Sequence, residues 1–115
     1  LEHLVDPVVG LTQWWSLVKF GGYMVVIIPD EDLYEQGIFP SRWNQDHKWT
    51  FTPWKKESWS SKSVNVIEFC DFLPGSKFVH LIKADSGYDY SLRNVDQTLD
   101  GNGAESFIEL VLQKR

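Results

Sequence analysis

Apolar residues Val8, Leu11, Trp15 and Val18 fall three and four positions apart, a spacing that predicts an amphipathic helix running to about Lys19. Asp6-Pro7 marks its start, with a carboxylate able to cap the first N–H groups and a proline where a missing N–H costs nothing. Gly21-Gly22 marks its end, because glycine accepts the left-handed geometry found past a helix C-terminus. Tyr23 to Ile28 is a continuous apolar run closed by Pro29. Lacking alternation, it reads as a strand buried on both faces, as in a parallel α/β sheet. Asp30 to Gly37 then reads as a short helical turn with Asp30, Glu31 and Asp32 at the end the helix dipole favours.

From Ile38 to Ser61 no period appears. This stretch holds Trp43, Trp49, Trp54 and Trp59 together with Arg42, His47, Lys48, Lys55 and Lys56. Long irregular segments in small domains are commonly functional, and the aromatic residues argue against disorder, so a partly ordered flap is expected. Ser63 can cap a second helix from about Val64 to Leu73, with Val66, Ile67, Cys70 and Leu73 on one face and Pro74-Gly75 behind it. Phe78 to Lys83 reads as a strand, Asp85 to Glu105 as a polar connection with a turn at Gly101-Asn102-Gly103, and Ser106 to Gln113 as the final strand. The chain divides accordingly into 1–37 (helix, buried strand, acidic turn), 38–62 (aromatic flap) and 63–115 (helix and two terminal strands).

Length and charge narrow the function classes. The 115 residues suit one domain. Eleven Lys and Arg against 16 Asp and Glu give a formal charge of -5, with no excess of cations to neutralise phosphates. Nucleic acid and anionic membrane are therefore not expected as partners. The run from Tyr23 to Pro29 is far below the roughly 20 residues of a membrane-spanning helix. The lone Cys70 has no cysteine partner, and Leu1-Glu2-His3 lacks the features of a signal peptide, so a cytoplasmic setting is expected.

Ligands of open α/β sheets bind beyond the carboxyl ends of parallel strands. That points to Pro29, Asp30, Glu31 and Asp32, joined by Glu2 and His3 if those end a preceding strand; a solvated helix start is the alternative for the acids. His47, between Asp46 and aromatic residues, is a candidate general base near neutral pH, or else a surface loop polar group. His3, His47 and His80 are widely scattered and no His-x-x-x-His or Cys-x-x-Cys spacing occurs, so no metal site is predicted. No Gly-x-Ser-x-Gly elbow is present. The tryptophans offer a surface for flat or sugar-like ligands, or pack on the flap's own framework.

Taken in order, Leu1-Glu2-His3-Leu4 with Asp6-Pro7, the helix ending in Gly21-Gly22, the strand closing at Pro29 and His47-Lys48-Trp49-Thr50-Phe51-Thr52 resemble the C-terminal half of class I S-adenosylmethionine-dependent methyltransferases. The match runs from Leu1 to about Thr52. Asp96-Gln97-Thr98 and Ala104 to Lys114 are similar to the closing part of one methyltransferase-like branch. The resemblance implies an α/β, Rossmann-like half-fold: a small mixed sheet of the last three strands, the final one antiparallel and central, with two main helices. It implies S-adenosylmethionine as cofactor, with Glu2 and His3 near its methyl end. Pro29, Asp30 and His47 would border the acceptor pocket and the flap would close over the substrate, which makes its Trp43 and Trp49 candidate substrate contacts; His47 would serve as base, and Asp30 would orient His47 or the acceptor. The family's glycine-rich loop and ribose-binding acid belong to the N-terminal half and have no counterpart here, and Phe20 stands where the family has proline. The expected function is thus the C-terminal portion of a methyltransferase acting on a small-molecule acceptor, without a complete cofactor site of its own. The alternative is a non-catalytic ligand-binding or interaction module on the same half-fold. A third reading is a fragment without independent activity that exposes the sheet edge where a missing half would dock, for which self-association or poor solubility is expected.

Overall fold

Asp6 caps the first helix as its sequence position suggests: its Oδ1 accepts from the N–H groups of Val8 and Val9 at 3.0 and 3.1 Å. In the computed structural model, which describes residues 1–99 and 103–115, this helix, α1, spans Pro7–Ser16. It stops short of Lys19 because the following backbone has other partners. Gly22 N–H donates to the Lys19 carbonyl at 2.8 Å, while Gly21 N–H donates to the Lys114 carbonyl at 2.7 Å. Gly21 has φ 77°, the left-handed region that glycine adopts without a steric penalty.

Strand β1, Tyr23–Pro29, leaves this turn. After it come a single wide helical turn, Glu31–Glu35, and the short strands β2, Thr50–Thr52, and β3, Ser63–Asn65. A 3-10 turn, Val66–Glu68, runs into one helical turn, α2, Phe69–Phe72, and strands β4, Ser76–Ala84, and β5, Phe107–Lys114, complete the order. The main sheet is β1-β5-β4, with β5 in the middle and antiparallel to both neighbours. The expected central, antiparallel final strand is therefore present. The sheet itself is not mixed, since each of its ladders is antiparallel; the parallel pair is β2 with β3.

Three local expectations are corrected. β1 is not buried on both faces: Met24, Val26 and Ile28 point inward, while Tyr23, Val25 and Ile27 are each more than half exposed. The apolar outward residues hide an ordinary period-two strand. The helix expected from Val64 to Leu73 is instead β3 followed by the two short turns. Ser63 lies in the strand, and Asn65 is the capping residue, its Oδ1 accepting from Ile67 N–H at 3.3 Å. The aromatic flap contributes to the core, because Phe51 in β2 is fully buried and belongs to the hydrophobic core cluster.

The core lies on one side of the sheet. Leu11 and Trp15 of α1 meet Met24, Val26 and Ile28 of β1 and Ile108, Leu110 and Leu112 of β5, with Phe51, Val66, Phe69 and Leu73 filling the remainder. Trp15 also donates its indole N–H to the Pro74 carbonyl at 2.9 Å, satisfying the one polar atom that its burial would otherwise strand. The connection after β4 is organised by buried Gln97, whose Oε1 accepts from Asp89 N–H and whose Nε2 donates to the Asp89 carbonyl, both at 2.8 Å. Asp100, Gly101 and Asn102, and with them the expected turn and part of the Asp85 to Glu105 connection, lie outside the described residues. Among the described residues no helix is long and apolar enough to cross a membrane.

Candidate functional site

Residues far apart in sequence are tied together at the start of the chain. Leu4 N–H closes a turn on the Leu1 carbonyl at 3.1 Å, and Leu4 rests on α1 at Gly10. A Cβ at Gly10 would stand 2.3 Å from Leu4 Cδ1, so the missing side chain lets the turn settle there. Lys48 N–H then donates to the Glu2 carbonyl at 2.7 Å and Trp49 Nε1 to the Val5 carbonyl at 3.1 Å. These bonds lay the loop before β2 along residues 2–5. They bring the His3 and His47 rings to 4.8 Å between centroids, nearly perpendicular at 84°.

The wide turn after β1 supplies the next group. Asp30 caps it, Oδ1 accepting from Asp32 and Leu33 N–H groups at 2.9 and 3.0 Å. Gln36 closes it, donating N–H to the Glu31 carbonyl at 3.0 Å with φ 56°. Within this turn Glu31, Leu33 and Glu35 are all buried. Glu35 Oε1 accepts from His47 Nδ1 at 2.8 Å, both side chains being almost wholly buried, and Tyr34 lies beside the imidazole at 5.3 Å between centroids. His3 donates from Nδ1 to Asp46 Oδ2 at 2.8 Å.

Each imidazole therefore has its Nδ1 held by a carboxylate, which leaves Nε2 free. His3 Nε2 stands 3.7 Å from Glu2 Oε1. One ligand-type atom from each of Glu2, His3 and His47 lies within 4.8 Å of the other two. The surroundings are negative: burial first, then the Asp96, Glu35 and Glu2 carboxylates, push the Tyr34 hydroxyl up to about 12.

A second polar network lies on the other side of the wide turn. Fully buried Glu31 accepts from Thr50 Oγ1 at 2.8 Å and Ser58 Oγ at 2.6 Å, and Lys55 Nζ lies 2.9 Å away. Burial alone would raise the Glu31 carboxyl; the hydrogen bonds from Ser58, Lys55 and Thr50 outweigh it and hold the group below its ordinary range. Asp30 goes the other way. Its burial outweighs Lys83 and the two backbone N–H groups and raises its carboxyl. Beyond Asp32 opens a cleft of about 560 Å³ with Trp59, Lys83, Tyr88 and Arg93 on its walls.

Of the residues singled out in the sequence, Glu2, His3 and His47 come together. Asp30 does not orient His47; that carboxylate is Glu35, which the sequence reading did not single out. Spacing gave no signal for it: Glu31 and Glu35 lie in the same wide turn yet meet separate networks, Glu31 with Thr50 and Ser58 and Glu35 with His47. Trp43 and Trp49 are ties more than open faces: Trp43 Nε1 donates to the Tyr34 carbonyl at 2.8 Å with the Arg42 guanidinium stacked on its ring, and Lys62 covers Trp49. Pro29 ends β1 opposite Phe107 and lines neither the histidine cluster nor the cleft. Compared with known protein families, with curated proteins and with solved structures, the chain matches none.

Proposed function

We propose that this chain is the C-terminal portion of an S-adenosylmethionine-dependent methyltransferase acting on a small-molecule acceptor. The observation that carries the reading is the sheet: β1-β5-β4, with an antiparallel last strand between two strands of common direction, preceded by α1 and the Glu2-His3 turn. The outer edge of β1 fits the same reading. Its N–H and C=O groups have no strand partner among the described residues. Leu1, Trp14 and residues 24–28 of β1 line a groove of about 380 Å³ along it. Independent domains seldom leave a seven-residue apolar strand as an open edge, so a further strand of a cofactor-binding half is its natural neighbour.

The residues present do not fit the cofactor by themselves. None of the described residues forms a glycine-rich phosphate or ribose cradle, and Glu2 and His3 offer contacts only at one end. What this chain contributes is the acceptor side: Glu2, His3 and His47 converge beside Tyr34. His47 is the group able to take a proton through Nε2, and Glu35 stabilises the resulting imidazolium. Calorimetry tests the reading, using S-adenosylmethionine against this chain and against one extended by the preceding half. Binding heat and methyl transfer to members of an acceptor panel are expected only from the extended chain. No heat and no transfer there would overturn it.

A further inference from the structure

The geometry points to a divalent transition-metal site formed by Glu2, His3 and His47. Two imidazole nitrogens and one carboxylate oxygen within 4.8 Å of one another are close enough for one ion to bridge with small side-chain adjustments. Zinc–nitrogen and zinc–oxygen bonds are about 2.0–2.2 Å, so ligand atoms around one ion stand about 3–4 Å apart. The 3.7 Å between His3 Nε2 and Glu2 Oε1 already lies in that range.

The shell behind these donors is built as metal-binding histidines require. His47 Nδ1 donates to Glu35 and His3 Nδ1 to Asp46, each at 2.8 Å. Both bonds fix the tautomer whose lone pair is on Nε2 and make that nitrogen more basic, which is the carboxylate–histidine–metal arrangement. The two carboxylates come from different elements, the wide turn and the loop before β2, so the orientation of the rings is not the by-product of one local turn. Glu35 Oε2 is buried with no hydrogen-bond partner, leaving a carboxylate whose charge a bound cation would offset through His47. The count of charges agrees: Glu2, Glu35 and Asp46 surround two imidazoles, and the cations beside them are the Leu1 amine, 3.2 Å from Glu2 Oε2, and Lys48, 3.2 Å from Asp46 Oδ1 on the solvent side. With Leu1 acetylated, no Lys, Arg or amine pairs with Glu2 or Glu35 among the described residues.

The donor set selects the ion. Two imidazoles with one carboxylate suit Zn²⁺ or Fe²⁺, with Co²⁺ as a spectroscopic stand-in, and disfavour Mg²⁺ and Ca²⁺, which take oxygen ligands. His47 is buried but His3 is partly exposed, so the ion keeps positions open toward solvent for water or for an oxygen of a ligand. A bound ion occupies His47 Nε2. The base role and the ligand role of His47 are therefore exclusive, and an acceptor hydroxyl would then be acidified by the ion. The metal site does not rest on methyl transfer, since binding is measured without S-adenosylmethionine.

The test is titration of the full chain, N-acetylated, with Co²⁺ followed by its visible absorption, and with Zn²⁺ by calorimetry. Acetylation matters because a free Leu1 amine with histidine at the third position is itself a chelating group. One ion per chain is expected, with affinity falling at least about 10-fold in Glu2→Gln and in His3→Asn, both partly exposed positions that leave the core intact. Glu35→Gln should weaken binding by about 10- to 100-fold while the Co²⁺ band keeps its shape, because the coordinating atoms stay the same. Absence of saturable binding in the acetylated chain overturns the site, as does an affinity unchanged by both Glu2→Gln and His3→Asn.

Discussion

Adjacent carboxylates Asp30 and Glu31 are both buried, yet their environments drive them in opposite directions. Glu31 is held below its ordinary value of 4.5 by the hydrogen bonds of Ser58, Lys55 and Thr50, which outweigh its burial. A depressed folded-state value contributes stability above the unfolded value and loses it as pH falls through the folded one. Glu31→Gln should therefore cost about 1.5–3 kcal/mol at neutral pH, the range for hydrogen bonds to a charged group, and almost nothing once the wild-type carboxyl is protonated. Asp30 is raised above 3.8 by burial, so its ionised form opposes folding as pH rises. Asp30→Asn keeps an oxygen for the Asp32 and Leu33 N–H groups, and its stability relative to wild type should improve from acid to neutral pH. Urea unfolding of both variants across that interval checks the two signs; parallel pH curves for the two would contradict the assignment. At this scale the sequence showed which residues carry charge but not which meet. Asp46 adjoins His47 in the chain and yet holds His3, while Glu35, twelve positions away, holds His47. Side chains of neighbouring residues diverge, and only the fold of the loop decides their partners.

Elements differ in how much of their pairing is local. α1 was legible because its cap, proline, apolar spacing and terminal glycines all lie within one segment. The central place of β5 followed from a family resemblance. The strand pair β2 and β3 was not legible, since Thr50 meets Ser63 and Thr52 meets Asn65 across an irregular stretch with no period of its own. The residues that mimic a helical stripe are divided: Val66 and Ile67 lie in a 3-10 turn, Cys70 in a single α-turn, and Leu73 in the extended backbone just past it. β2 provides the mechanical test of whether the aromatic segment is a flap or part of the body. Phe51 is fully buried, so Phe51→Ala should destabilise the whole domain by about 3–5 kcal/mol, as other large core truncations do. Leu110→Ala at the centre of β5 should cost about 2–5 kcal/mol, whereas Val25→Thr on the exposed face of β1 should stay within about 1 kcal/mol. Chemical denaturation monitored by tryptophan fluorescence distinguishes the cases. A Phe51→Ala chain with unchanged global stability would restore the flap.

The whole molecule is one-sided. α1, β2, β3 and α2 cover one face of the β1-β5-β4 sheet, while Tyr23, Val25 and Ile27 of β1 and Ile82 of β4 remain exposed on the other. The free edge of β1 borders that face, so unpaired backbone groups and apolar side chains are offered together. Such an edge templates pairing with another chain, and burying its outward residues removes apolar surface at about 25 cal/mol per Å². On the proposed methyltransferase reading a strand of a cofactor-binding half would occupy this edge; for the 115-residue chain by itself a second copy is the available partner. Sedimentation velocity should accordingly show concentration-dependent association of the isolated chain. Placing charges on the same face with Val25→Lys and Ile27→Lys should reverse it, because pairing would bring like charges together and bury them. The N-terminally extended chain should sediment as a single species at the same concentrations. Association that persists in the double lysine variant would move the contact away from β1, and with it the argument that this edge is where the rest of the sheet belongs.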